Sequence, residues 1–140
     1  MSILELVEKL NATSEPSRRL DAEIIAVVLG PPGCALDMIE DIDGWGVNCA
    51  PDAKGHVTQW MCAADVPYLT RYSDAALELL AETHPHDGGA ITMSAMARLM
   101  ANRGCGAGAL EMSGLVAQAV MLELLLTMAA NPAETGRRAA

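Results

Sequence analysis

The densest run of ligand-type side chains in this 140-residue chain is His84-Pro85-His86-Asp87. Two imidazoles and a carboxylate within four residues could contribute to a Zn²⁺ site, since ring nitrogens and carboxylate oxygens are both zinc ligands. Against it stands a polar loop at a helix end, where histidine meets the helix dipole favourably. A closed metal site also needs four convergent ligands. His84, His86 and Asp87 therefore carry only a weak metal expectation, and a metal-dependent hydrolase is the third-ranked function.

A second constellation is Tyr68, Thr70, Arg71 and Tyr72, just ahead of Ser73 and Asp74. Ser73 is a good N-cap residue, and Asp74 places negative charge in the first turn of a helix. The backbone N–H groups of such a start favour an anion, and Arg71 would add charge to it. Tyrosine and arginine are also the side chains that dominate protein interfaces. The plainer expectation is local packing, with Arg71 paired to Asp74 or Asp21. Trp60, on a preceding strand, completes the set of candidate ligand- or partner-binding residues.

Other suggestive patterns resolve to connectors or core. Gly104-Cys105-Gly106-Ala107-Gly108 lacks the Lys and Ser/Thr of a phosphate loop, and it has Ala109 where a dinucleotide fingerprint needs glycine. Glu40, Asp41 and Asp43 lack the alternating acids and final Glu of a calcium loop. Cys34, Cys49, Cys62 and Cys105 include no C-x-x-C pair, and reduced, mostly buried thiols are expected of them. Met93, Met96 and Met100, with Cys105, could bind Cu(I), but methionines at helical spacing are more commonly core filler. No catalytic constellation emerges, so an enzyme is not favoured and no cofactor is expected.

These residues must be positioned by elements that the patterning locates. Ser2 to Leu10 reads as a helix, with a Ser2/Glu5 capping box and an Ile3, Leu6, Val7, Leu10 stripe. Ser17 can cap a second helix to Leu29, with Leu20, Ile24, Val27 and Val28 on one face and Asp21 set favourably in its first turns. Gly30-Pro-Pro-Gly33 stops it. Residues 34–56 are turn-rich, except that Trp45–Cys49 reads as a strand paired with His56–Cys62 across the turn Pro51–Gly55. Trp45 and Trp60 are expected to cover one another or the helix layer. A helix then runs from Ser73 to about Glu82, burying Ala76, Leu77 and Leu80, and Pro85, Gly88 and Gly89 end it. Ala90–Met93 is open between strand and helix; after Ser94 a helix over 95–102 is favoured. The last helix, from Gly114 or Leu115 to Ala130, is nearly all apolar, but contains Glu123 and is shorter than the ~20 residues of a bilayer span. A buried central helix, or one pairing with a second subunit, is the expectation.

Composition sets bounds on partners. With 51% hydrophobic residues, nine Met and no Phe, the chain can build one sizeable aliphatic core. The net charge is −9, and Arg18–Arg19 and Arg137–Arg138 are the nearest things to basic clusters. Nucleic-acid binding through a basic patch is therefore not expected. The start Met1-Ser-Ile-Leu-Glu lacks the basic and apolar run of a signal peptide, so a cytoplasmic setting without membrane association is expected.

Pro16–Gly30, P-S-R-R-L-D-A-E-I-I-A-V-V-L-G, resembles the N-terminal helix of small phage and prophage proteins with the phage ABA-sandwich domain. Trp60, followed by Pro67-Tyr-Leu-Thr-Arg-Tyr-Ser-Asp-Ala-Ala-Leu77, is similar to the tryptophan strand and P-x-Y-T-x-S-x-D-A-A-L-like segment of that family, with one or two extra residues after Tyr68. Leu115–Ala130 is similar to its closing Ala/Leu-rich helix. After the D-A-A-L helix the family usually has further strands, where this chain has the His/Gly loop and a Met-rich segment. The resemblance implies a phage-encoded setting in a bacterial host cytosol and no particular reaction.

Together these readings predict a single α+β domain over 1–132, helices on a small antiparallel sheet, and a loose tail over 133–140. The leading function is a non-enzymatic phage accessory protein acting on a host or phage protein, with a homodimer expected from its surplus apolar helix surface. The alternative is a nucleotide- or anion-binding protein using the Tyr68–Asp74 helix start.

Overall fold

The computed structural model describes residues 2–13, 15–37, 46–102 and 109–131. Helix α1, Ile3–Ala12, begins where Ser2 Oγ accepts a hydrogen bond from Glu5 N at 3.2 Å. Its stripe of Leu6, Val7 and Leu10 is buried as the three-and-four spacing predicts. Helix α2, Arg18–Val28, is capped by Ser17, whose Oγ accepts from Leu20 N at 3.2 Å. Leu20, Ile24, Ile25 and Val28 face the core, while Val27 is only partly covered. Glu23 is buried too, where Lys9 and Arg19 meet it at 3.4 and 3.3 Å.

The sheet is three-stranded and antiparallel, in the order β1-β2-β3. Strand β2, Gly46–Asn48, and strand β3, Gln59–Cys62, fall inside the predicted pair. Strand β1, Ala35–Asp37, was not predicted; it pairs with β2 inside the segment read as turn. Three residues are too few for a period of two to stand out. The turn before β3 forms as its residues require: Asp52 Oδ1 accepts from Lys54 N and His56 N at 2.8 and 2.9 Å. Gly55 there adopts φ +81°, a conformation side chains disfavour. Trp60 packs partly buried against the core, whereas Trp45 and the acidic group 40–43 lie outside the described residues.

A 3-10 turn, Ala63–Asp65, leads from β3 towards helix α3, Ser73–Thr83. The buried stripe of α3 is Ala76, Leu79, Leu80 and Thr83, not the expected Ala76, Leu77 and Leu80. Leu77 is displaced from that stripe by a full 100° step and is left exposed.

Helix α4, Gly88–Asn102, starts earlier than the expected 95, so Gly88 and Gly89 open a helix rather than end one. Asp87 O already accepts from Ile91 N at 3.0 Å. Ile91 and Ala95, one turn apart and both buried, anchor this start by packing that outweighs the glycine propensity. Ala90–Met93 is accordingly helix and not strand.

Helix α5, Ala109–Ala130, has 22 residues and is longer than predicted. Its Met112–Ala130 stretch is long and apolar enough to cross a membrane by length and composition. In this fold α5 is the central element, packed against α1, α3 and α4. Ala117, Val120, Met121, Leu124 and Leu125 are fully buried on it. Each large aliphatic among them contributes about 1.5–3 kcal/mol by leaving water.

Candidate functional site

The segment from Ala63 to Ser73 is held to α2 by a buried polar network. The N-cap at Ser17 fixes the first turn of α2, and a spacing of three puts Arg18 and Asp21 on one side of it. Asp21, 1% exposed, accepts at Oδ1 from both the backbone N and the hydroxyl of Thr70, each at 2.8 Å. Its other oxygen accepts from Arg18 Nη1, also at 2.8 Å. The Thr70 hydroxyl in turn accepts from Ser17 N at 2.8 Å. Gln118 of α5 donates to Thr70 O at 3.1 Å, so the network ties α2, the loop and α5 together. Burial pushes the Asp21 carboxyl above the ordinary aspartate value, and the Thr70 and Arg18 donors offset part of that rise.

Arg18 also closes the loop. Nη2 donates to Ala63 O and Val66 O at 3.0 and 2.7 Å, and Nη1 reaches Pro67 O at 3.3 Å. Its guanidinium lies 3.8 Å from the centroid of the Tyr68 ring, a cation–π contact. Tyr68 meets Tyr72 edge to face with centroids 5.6 Å apart, and Arg71 stands 5.4 Å from the Tyr72 ring. Arg18, Tyr68, Tyr72 and Arg71 thus form a run of successive cation–π and edge-to-face contacts along the exposed side of the loop.

The predicted site residues separate accordingly. Tyr68, Arg71, Tyr72 and Asp74 are exposed, but Thr70 is fully buried and its side chain belongs to the Asp21 network. Arg71 makes no ion pair among the described residues, so the expected pairing with Asp74 or Asp21 is replaced by Arg18–Asp21. Ser73 is not the N-cap of α3: it is the first helical residue, and the cap position is Tyr72, without a side-chain bond. Ser113 of α5 takes that role from a distance, its Oγ accepting from Ser73 N at 3.0 Å. One of the N–H groups that an anion would use is therefore already satisfied. Arg18 and Asp21 carried a detectable signal in their helical spacing; Ser113 and Gln118 carried none.

His84 is buried at the end of α3, with Nδ1 3.0 Å from Thr83 Oγ1, whereas His86 and Asp87 are exposed. Among the described residues no three His, Cys, Asp or Glu side chains gather as a metal-binding group. His84 instead lines an open cleft of about 290 Å³ with Leu77, Leu80, Gly88 and Thr92. A second groove, about 230 Å³, has Ile25, Pro67 and Leu79 in its floor and Asp65, Glu78 and Glu82 around it.

The cysteines and methionines also depart from expectation. Cys34, Cys49 and Cys62 are free thiols, as expected, but half-buried rather than buried. Cys105 and the glycine run lie outside the described residues. Met96 packs partly against the core, yet Met93 and Met100 are 74% and 76% exposed. Ile91 and Ala95 face inward, which puts Met93 and Met100 on the opposite side of the helix. Core filling is not their role.

No family model, curated protein or solved structure matches the chain.

Proposed function

We propose that the protein is a non-enzymatic accessory protein that works through protein–protein contact and associates with a second copy of itself through α4. The observation that carries this reading is the exposed Met93 and Met100 pair on a face continued by exposed Ala90 and Ala97. Methionine is a flexible apolar side chain suited to adaptable contact surfaces. Alternating Met and Ala lets the ridges of one helix enter the gaps of an identical one.

Charge favours self-pairing at this face in particular. The chain carries net charge −9, yet α4 alone among the described helices has no Asp or Glu. Its one cation, Arg98, is paired with Glu123 of α5 at 2.5 Å. Two copies meeting through α4 would bring no rows of like charge together. The resemblance of Pro16–Gly30 and Pro67–Leu77 to phage ABA-sandwich proteins supports a phage or prophage setting in a host cytosol for this association.

Light scattering on purified protein tests the reading. A dimer that becomes monomeric in Met93→Glu/Met100→Glu, with an unchanged helical circular-dichroism spectrum, is expected. A wild type that stays strictly monomeric at high concentration would overturn it.

A further inference from the structure

Cys34 and Cys49 bracket the pairing of β1 with β2. The register matches Ala35 to Asn48, Leu36 to Val47 and Asp37 to Gly46, so the next pair outward is Cys34 with Cys49. The chains remain close one step further out: a Cβ on Gly33 would lie 2.9 Å from Ala50 Cβ, and Gly33 has φ +80°. Both strands are therefore held together on either side of the two cysteines.

Backbone hydrogen bonds define the kind of pair they form. Cys49 N donates to Thr58 O at 2.8 Å, so its polar backbone edge faces the β3 side. Cys34 N donates to Pro31 O at 3.2 Å, away from β2. Towards each other the two residues occupy a non-hydrogen-bonded position, where opposed Cα atoms of antiparallel strands lie ~4.5 Å apart and side chains approach most closely. That separation falls within the ~4.4–6.8 Å range that a disulfide spans. Burial, with the neighbouring Cys49 thiol, pushes the Cys34 thiol above its ordinary value, and both residues are partly open to solvent.

We propose that Cys34 and Cys49 are a reversible thiol-modification site that forms a cross-strand disulfide by exchange with a small disulfide such as oxidised glutathione. One protein thiolate attacks a glutathione sulfur, forming a mixed disulfide and expelling one glutathione thiolate. The second cysteine, deprotonated, attacks the protein sulfur of that bond, closes the Cys34–Cys49 disulfide and expels the second glutathione. The protein loses two protons and two electrons, and one glutathione disulfide becomes two thiols. The bond ties β1, the outer strand, to the centre of the sheet. In a reducing compartment such a bond forms transiently and reverts, as a redox-responsive contact does.

The sequence supplies a clean test. Trypsin cuts after Arg19 and Lys54 with no Lys or Arg between, so one peptide carries both cysteines while Cys62 and Cys105 fall in others. The full chain is equilibrated with oxidised and reduced glutathione, remaining thiols are blocked with iodoacetamide, and peptides are weighed. The expected result is a 20–54 peptide two hydrogens lighter than the dithiol, unalkylated, and restored by dithiothreitol. Oxidised protein should melt about 5 °C or more higher, because the closed ring constrains the unfolded chain. Cys34→Ser and Cys49→Ser should each retain a glutathione adduct on the remaining cysteine, since nothing resolves it. Glutathione adducts on both cysteines of the wild type, pairing with Cys62 instead, or full alkylation throughout the series would overturn the proposal.

Discussion

Thr70 gives both its backbone N–H and its hydroxyl to one oxygen of Asp21, each at 2.8 Å, across 49 residues of sequence. This contact fixes the path from sheet to α3, because Thr70 sits midway between the 3-10 turn and the helix start. Thr70→Val keeps the shape and removes the hydroxyl, leaving Ser17 N without its acceptor. A loss of about 1–3 kcal/mol is expected for such a buried unsatisfied group. Asp21→Ala should cost at least as much, because it takes the acceptor from both the N–H and the hydroxyl of Thr70 while Arg18 keeps its backbone carbonyl partners. Urea unfolding measures both, and losses within the ~0.5 kcal/mol typical of surface changes would show that the network does not hold the loop.

The same aspartate makes a prediction about pH. Burial raises its pKa in the fold above the unfolded value, with the Thr70 and Arg18 donors opposing. The folded chain thus keeps a proton at pH values where the unfolded chain has released it. The stability Asp21 contributes is complete below the unfolded value, ~3.9, and is lost as pH rises through the folded one. Asp21→Asn has no such titration. The stability of wild type minus that of Asp21→Asn should therefore fall as pH rises from about 4 towards neutrality, then level off. A difference that grows with pH would mean that the donors, not burial, dominate.

On α3, Leu77 and Leu80 look equivalent in sequence and are not. Leu80 is 2% exposed in the core and Leu77 is 38% exposed beside the His84 cleft. Leu80→Ala should cost about 2–5 kcal/mol, and Leu77→Ala less than about 1. Thermal unfolding of the two variants checks the helix register directly; equal losses would place the buried stripe one residue away.

Where a long apolar period met a capping residue, the sequence was readable: α1 with Ser2, α2 with Ser17, and the β2–β3 pairing around the Asp52–Gly55 turn. What escaped depended on partners far along the chain. Strand β1 is three residues held by β2, and the early start of α4 rests on Ile91 and Ala95 meeting the core. Asp21 read as an ordinary first-turn acid because the residue that buries it, Thr70, lies across the fold. The Tyr68–Tyr72 stretch was visible as interaction-prone, yet only coordinates separate exposed Arg71 and Tyr72 from Thr70, which faces inward. Met100 fell inside the predicted helix over 95–102, while Met93 lay in the stretch left open between strand and helix. Which side of that helix was covered could not be read, because α5 decides it.

Helix α3 offers a final case in which sequence and structure assign one role to different serines. Ser73 has the residue type of an N-cap, but its hydroxyl lies 3.2 Å from Ser113 Oγ while its own N–H donates to that same oxygen at 3.0 Å. The first turn of α3 is thus satisfied by a residue of α5, 40 positions later. Ser113→Ala should cost about 0.5–2 kcal/mol, the range for losing an N-cap, although it alters no residue of α3. Ser73→Ala leaves the Ser113 acceptor in place and should cost less. Hydrogen exchange adds a local readout: the Ser73 amide should lose protection in Ser113→Ala and keep most of it in Ser73→Ala. The reverse order of losses would return the cap to Ser73 and detach the start of α3 from α5.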